Sequence, residues 1–200
     1  MKTLIYPFLV LLILTFVGCK KDEVILNNLS AKEVLSGASG PTNRLKYGSV
    51  TDVDGNVYKT IQIGSQVWMA ENLKVSRFRN KKAIPNITDN AEWASTTQPA
   101  WCNMNNSASD GATYGKLYNW YAVMDSRGLA PKGWHIPSKT EWEQLMTYLG
   151  GLDLAGTKIK SDTGWDYQGT EYTNFIGPGL NGTNESGFSA LPGGYRNEWV

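Results

Sequence analysis

The chain has 200 residues, 41% of them apolar and 18% charged, a balance that supports a folded core rather than a disordered or low-complexity polymer. Nineteen Lys and Arg against 18 Asp and Glu leave a formal charge of +1, which excludes the basic footprint of a nucleic-acid binder. One histidine, His135, and two cysteines, Cys19 and Cys102, exclude a Cys/His zinc cluster or a disulfide framework.

The N-terminus is an address. Lys2 is followed by an apolar run from Leu4 to Val17 that is too short to span a bilayer comfortably and ends at the small residue Gly18. Phe16-Val17-Gly18-Cys19 resembles the bacterial lipobox, in which the cysteine thiol is diacylated and the signal is cut just before it. That resemblance implies a signal peptide over residues 1–18 and a mature N-terminus at a lipidated Cys19. Two or three acyl chains, each buried methylene contributing about 0.8 kcal/mol, are enough for stable anchoring. Lys20-Lys21-Asp22-Glu23 resembles the lysine-acidic export tag of surface lipoproteins in the Bacteroidota, and reads equally well as a solvated charge run. The mature chain then has as many acids as bases, and Cys102 is left as a lone thiol.

Residues 19–47 are poor in large apolar side chains and rich in Asn, Ser and Gly, so they are expected to form a flexible tether. The folded domain is expected over residues 48–200. Val50–Val53, Asn56–Ile63 and Gln66–Ala70 predict a three-strand meander, with Asp54-Gly55 as a type I′ turn signal and Gly64-Ser65 as a second turn. A calcium loop at Asp52–Asn56 fails on spacing, since the motif needs Gly at its sixth position and an acid at its twelfth. Asn80–Ser109 reads as ordered irregular structure pinned by Trp93 and Trp101. Leu117, Trp120, Tyr121 and Met124 have helical spacing and predict a first helix over Tyr114–Met124. A second helix starts at the capping box Ser138-Lys139-Thr140-Glu141, carries Trp142, Leu145, Met146 and Leu149 on one stripe, and ends at Gly150-Gly151. Gly133–Ile136 between them reads as a short strand, and the chain after Gly151 as loops. The pattern amounts to an α+β domain with much loop.

Four segments occur together in order: Gln66-Val67-Trp68-Met69-Ala70-Glu71-Asn72-Leu73; Tyr114-Gly115-Lys116-Leu117-Tyr118-Asn119-Trp120; Gly133-Trp134-His135-Ile136-Pro137-Ser138 with Glu141-Trp142; and Leu191-Pro192-Gly193-Gly194-Tyr195-Arg196. From about Gly48 to Arg196 the chain resembles the Fibrobacter succinogenes major paralogous domain (FISUMP), a family of secreted and lipid-anchored bacterial proteins without an established activity. The resemblance implies a C-type-lectin-like fold related to sulfatase-modifying factors, with two helices, small irregular antiparallel sheets and long loops that carry the binding surface. Against that pattern the chain stops at Val200, before the last strands, and has Ala130 where relatives often carry Cys.

The chemistry expected of this chain is binding. Formylglycine-generating chemistry needs thiols and copper, and Cys102 alone lies outside the similar segment. His135 sits in an apolar setting with no base-and-nucleophile spacing around it, and Glu141 and Glu143 fall on different helix faces. Neither catalytic residues nor a cofactor or metal is expected, although Asn181–Glu185 offers oxygen ligands of the kind calcium takes. Of the eight Trp, Trp68, Trp120, Trp134 and Trp142 are expected in the core. Trp93, Trp101, Trp165 and Tyr167, in predicted loops, are the candidate ligand-binding residues. The expected protein is lipid-anchored on the outer membrane and surface-exposed. It would act as a non-catalytic binding or structural module, with the membrane and a surface glycan or protein as partners. The alternatives are an enzyme or accessory of the formylglycine-generating type and a degraded gene product without activity.

Overall fold

A computed structural model describes residues 45–165 and 181–196, with the backbone of Cys19 and Lys20. The signal segment, residues 21–44 of the expected tether and Tyr167 lie outside the described residues. In chain order the strands are β1 (Cys19–Lys20), β2 (Tyr47–Thr51), β3 (Val57–Ile63), β4 (Gln66–Met69), β5 (Trp101–Asn103), β6 (Lys116–Tyr118) and β7 (Trp134–His135). The helices are α1 (Asn90–Ser95), α2 (Ala108–Tyr114), α3 (Trp120–Val123), α4 (Lys139–Tyr148) and α5 (Leu152–Ile159). One sheet has the order β2-β3-β4-β1-β7 and a second pairs β5 with β6, every pairing antiparallel. The architecture is α+β, as the pattern predicts, and no described helix is long and apolar enough to cross a membrane.

The meander is as expected, with one local correction. Thr51 pairs directly with Val57, so the connection is a five-residue loop rather than a two-residue type I′ turn. Asp52 organises it: its backbone N–H donates to Asn56 O, and its Oδ1 accepts from the backbone N–H groups of Asp54 and Asn56. Gly55 takes φ +89°, which suits a residue without Cβ. Thr60–Ile63 then pair with Gln66–Met69 around the Gly64-Ser65 turn.

The predicted first helix is replaced by three elements. The chain leaves α2 at Gly115, whose φ is +77° and whose absent Cβ would lie 2.7 Å from Asn72 Cβ and 2.8 Å from Leu73 O. Asn72 Nδ2 donates to Tyr114 O, Lys116 N–H donates to Leu73 O, and the chain runs extended as β6. The remaining helix, α3, is four residues long and turns Ala122 and Val123 inward. Trp120 is therefore not core; it is 65% exposed, with Tyr121 and Met124 exposed beside it.

The second predicted helix is α4. Ser138 Oγ accepts from Glu141 N–H while Glu141 returns to Ser138 N–H, the reciprocal cap that the sequence spells. Trp142 and Leu145 are buried under it, and Gly150 and Gly151 end it at positive φ. Gly151 opens α5, where loop was expected; only Ala155 is buried in that helix, and Leu152 is 77% exposed. The core lies between the meander and α4. Trp68, fully buried, has ring centroids 4.8 Å from Trp142 and 5.8 Å from Phe188, so the segment after residue 181 is tied to the first half of the domain through an aromatic trio.

Candidate functional site: an asparagine-walled cleft

The polar surface that stands out lies at the end of the β5–β6 sheet. Asn103 ends β5, a tight 3-10 turn over Met104–Asn106 follows, and Ser107 caps α2. Asn105 and Asn106 both take φ +52°, a left-handed conformation that asparagine tolerates better than other side chains with a Cβ. Their Nδ2 groups are pinned, Asn105 to Asp110 Oδ2 at 3.0 Å and Asn106 to Thr88 O at 3.0 Å. Asn103 packs against Gly111, where a Cβ would stand 2.1 Å from Asn103 Oδ1, so α2 approaches this closely because that residue is Gly.

The opposite wall comes from a segment about ninety residues away in sequence. Arg196 donates to Ile87 O at 2.8 Å, Thr88 O at 2.7 Å, Asn90 Oδ1 at 2.6 Å and Asn106 Oδ1 at 3.4 Å. Its guanidinium lies 4.9 Å from the centre of the Trp93 ring. Between these walls is a cleft of about 360 Å³ lined by Asn90, Asn103, Met104, Asn105, Asn106 and Tyr195, among others. Tyr195 is 61% exposed at its rim. Arg196 spends its donors on the scaffold, so the cleft offers ligands neutral amides and an aromatic edge rather than a free cation. A larger groove, about 440 Å³, runs between Gly64 and Tyr148; its Lys158 and Glu185 pair with each other at 3.6 Å.

Of the four aromatic candidates, Trp93 does not line the cleft but supports its Arg196 wall from behind the guanidinium, and it stands in α1 rather than in a loop. Trp101 is in β5, not in a loop, its Nε1 donating to Ile84 O and Lys116 Nζ 4.1 Å from its ring centre. Trp165 is on another side, its Nε1 donating to Ser161 Oγ and Ala190 O. Trp93 and Trp165 are therefore not gathered in one patch. Sequence reasoning missed Tyr195 and Arg196 as site residues. The signal was present in the quoted Gly-Gly-Tyr-Arg motif and in Asn103–Asn106.

The remaining polar candidates are absorbed locally. Cys102 is fully buried in β5, and burial pushes its thiol up, against a smaller opposing effect of Arg196. His135 Nε2 and Glu141 Oε1 are 2.7 Å apart. Burial alone would raise the Glu141 carboxyl, but bonds from Ser138 and then His135 outweigh it and hold it below its ordinary range. Cys102 and His135 stand in different sheets. In the 181–185 segment, Asn181 Oδ1 accepts from Trp165 N–H, Asn184 Oδ1 from Ser189 N–H, and Glu185 pairs with Lys158. Asp52 and Asp54 take donors from Asn56, Tyr58, Ser76 and Arg77 in the same way.

These features define a class: an α+β domain in which a few short, side-chain-capped elements hold a polar loop cleft in place. Residues 61–199 match the model of the Fibrobacter succinogenes major domain, and the chain belongs to that family. A search of curated proteins and a search of solved structures each returned no match.

Proposed function

We propose that this chain is a lipid-anchored envelope protein that binds a surface ligand, without turning it over, in the Asn103–Arg196 cleft. One observation carries the binding half: Asn90, Asn103 and Asn105 line a cleft in which the Asn90 Nδ2 and Asn105 Oδ1 halves of the amides are left to a ligand, while Arg196, its only cation among the described residues, is committed to the scaffold. Amides pair side by side with vicinal hydroxyls, and an exposed Tyr ring stacks on the apolar face of a sugar. The ligand class that fits is a neutral glycan. Burial of Cys102 weighs against thiol chemistry there and so supports the non-catalytic reading over the enzyme alternative. Support for the anchor comes from the lipobox-like Phe16–Cys19 segment.

The test of binding is a glycan and protein array probed with the purified chain and with Asn103→Ala. Retention of neutral glycans by the parent and loss in the variant is the expected result; a flat response on both overturns the binding half. Palmitate labelling of producing cells tests the anchor, with label expected on the parent and absent from Cys19→Ala. Label persisting in that variant rejects the assignment of Cys19.

A further inference from the structure

The place of Cys19 in the sheet has a consequence for how the domain meets its membrane. Cys19 is in register with Trp68 of β4 and His135 of β7, and Lys20 with Val67 and Trp134. Adjacent strands lie about 4.8 Å apart, so the backbone that would carry the acyl chains is one strand spacing from β7. An anchor at that position brings the bilayer to the β7 end of the sheet.

The charge around β7 suits that placement. Arg79 donates from its backbone to Gly128 O at 3.0 Å and from its guanidinium to Trp134 O at 3.4 Å, which fixes it beside the strand. The tight turn that contains it, closed by Phe78 N–H to Lys82 O at 2.9 Å, presents Lys81 and Lys82. A second turn, closed by Trp134 N–H to Pro131 O at 3.0 Å, presents Lys132. All four cations are exposed, and none makes an ion pair among the described residues. Two acids on the flanking segments are taken: Asp125, whose carbonyl accepts from Gly128 N–H, pairs with Arg127 at 2.6 Å, and Glu141 is held by His135 and Ser138. Lys20 and Lys21 add two more cations in sequence beside the anchor.

We propose that the face formed by Arg79, Lys81, Lys82 and Lys132 rests on the anionic headgroups of the bilayer that holds Cys19, so that the domain sits flush with its membrane and does not float on a tether. The proposal rests on the acylation of Cys19 argued above, and two arms separate the two ideas. In the first, the acylated full chain is reconstituted into phosphatidylcholine vesicles with or without phosphatidylglycerol and exposed to trypsin. Cleavage after Lys81, Lys82 and Lys132 is expected to slow when the anionic lipid is present, while cleavage after Lys59, on the β3 side, is not. In the second, the Cys19→Ala chain is partitioned onto phosphatidylglycerol vesicles. Each of Lys81→Glu, Lys82→Glu and Lys132→Glu is expected to weaken binding at least about fivefold, as loss of one cation near an anionic surface does, and Lys59→Glu to weaken it less. Equal cleavage on both vesicle types, or variants that partition like their parent, overturns the proposal. A chain without acyl label fails the anchor, and the second arm then still decides the face.

Discussion

The Tyr58 hydroxyl donates to Asp52 Oδ2 at 2.5 Å and accepts from the Lys74 backbone N–H at 2.9 Å, so one phenol joins the β2–β3 loop to the segment that leaves β4. Both residues are buried. Tyr58→Phe keeps the ring but removes a donor from a buried carboxylate, and should cost about 1–3 kcal/mol in urea denaturation. Burial, reinforced by Asp52, holds the Tyr58 phenol far above its ordinary value of 10.0. The unfolded chain therefore ionises first, so the stability this group contributes is whole below pH 10.0 and declines above it. Alkaline melts of Tyr58→Phe should lose that part of the decline.

Acid should act through Asp54 and Glu141. Burial alone would lift the Asp54 carboxyl, but hydrogen bonds from Ser76 and then Arg77 outweigh it and hold it below 3.8; Glu141 is held below 4.5 by Ser138 and His135. A depressed carboxyl contributes stability above its unfolded value and loses it as pH falls through the folded one. Thermal melts should therefore drop in temperature as pH is lowered past 4.5, and further past 3.8. Asp54→Asn should melt lower at neutral pH and respond less steeply to acid.

The α4 cap can be measured by itself. Ser138→Ala removes the acceptor of Glu141 N–H and a donor to Glu141 Oε2, and should cost about 1 kcal/mol in chemical denaturation. Ser138→Thr, which keeps the hydroxyl, should recover most of it.

Gly115→Ala should cost more than about 1 kcal/mol, because it sets a Cβ against Asn72 and Leu73 at a positive φ. A denaturation midpoint equal to the parent's would show that the break between α2 and β6 has another cause.

At the cleft, Tyr195→Ala and Arg196→Ala should separate binding from scaffold. Tyr195 is exposed, so its loss should leave stability within about 0.5 kcal/mol of the parent and weaken glycan binding. Arg196→Ala frees four carbonyl acceptors and one face of Trp93, and should weaken binding and lower the melting temperature together. Titration calorimetry beside melts would expose a Tyr195→Ala variant that binds like its parent, which would remove Tyr195 from the site.

The sequence by itself determined what short-range chemistry controls. Ser138 and Glu141 are three residues apart and cap one helix whatever else the chain does, and the turns at Asp52–Asn56 and Gly64-Ser65 set the meander through local hydrogen bonds and glycine conformations. The four quoted segments likewise carried the family. Tertiary structure decided the rest. Helical spacing from Leu117 to Met124 was overruled by the close approach of Asn72 and Leu73 to Gly115, which sent Trp120 to the surface; α5 formed although its leucines face outward. The cleft was the least legible feature, because Arg196 reaches it across residues 87–106 in contacts that no window of sequence contains. Local hydrogen bonds are written in neighbouring residues, whereas a wall shared by distant segments exists only once the aromatic core has brought them together.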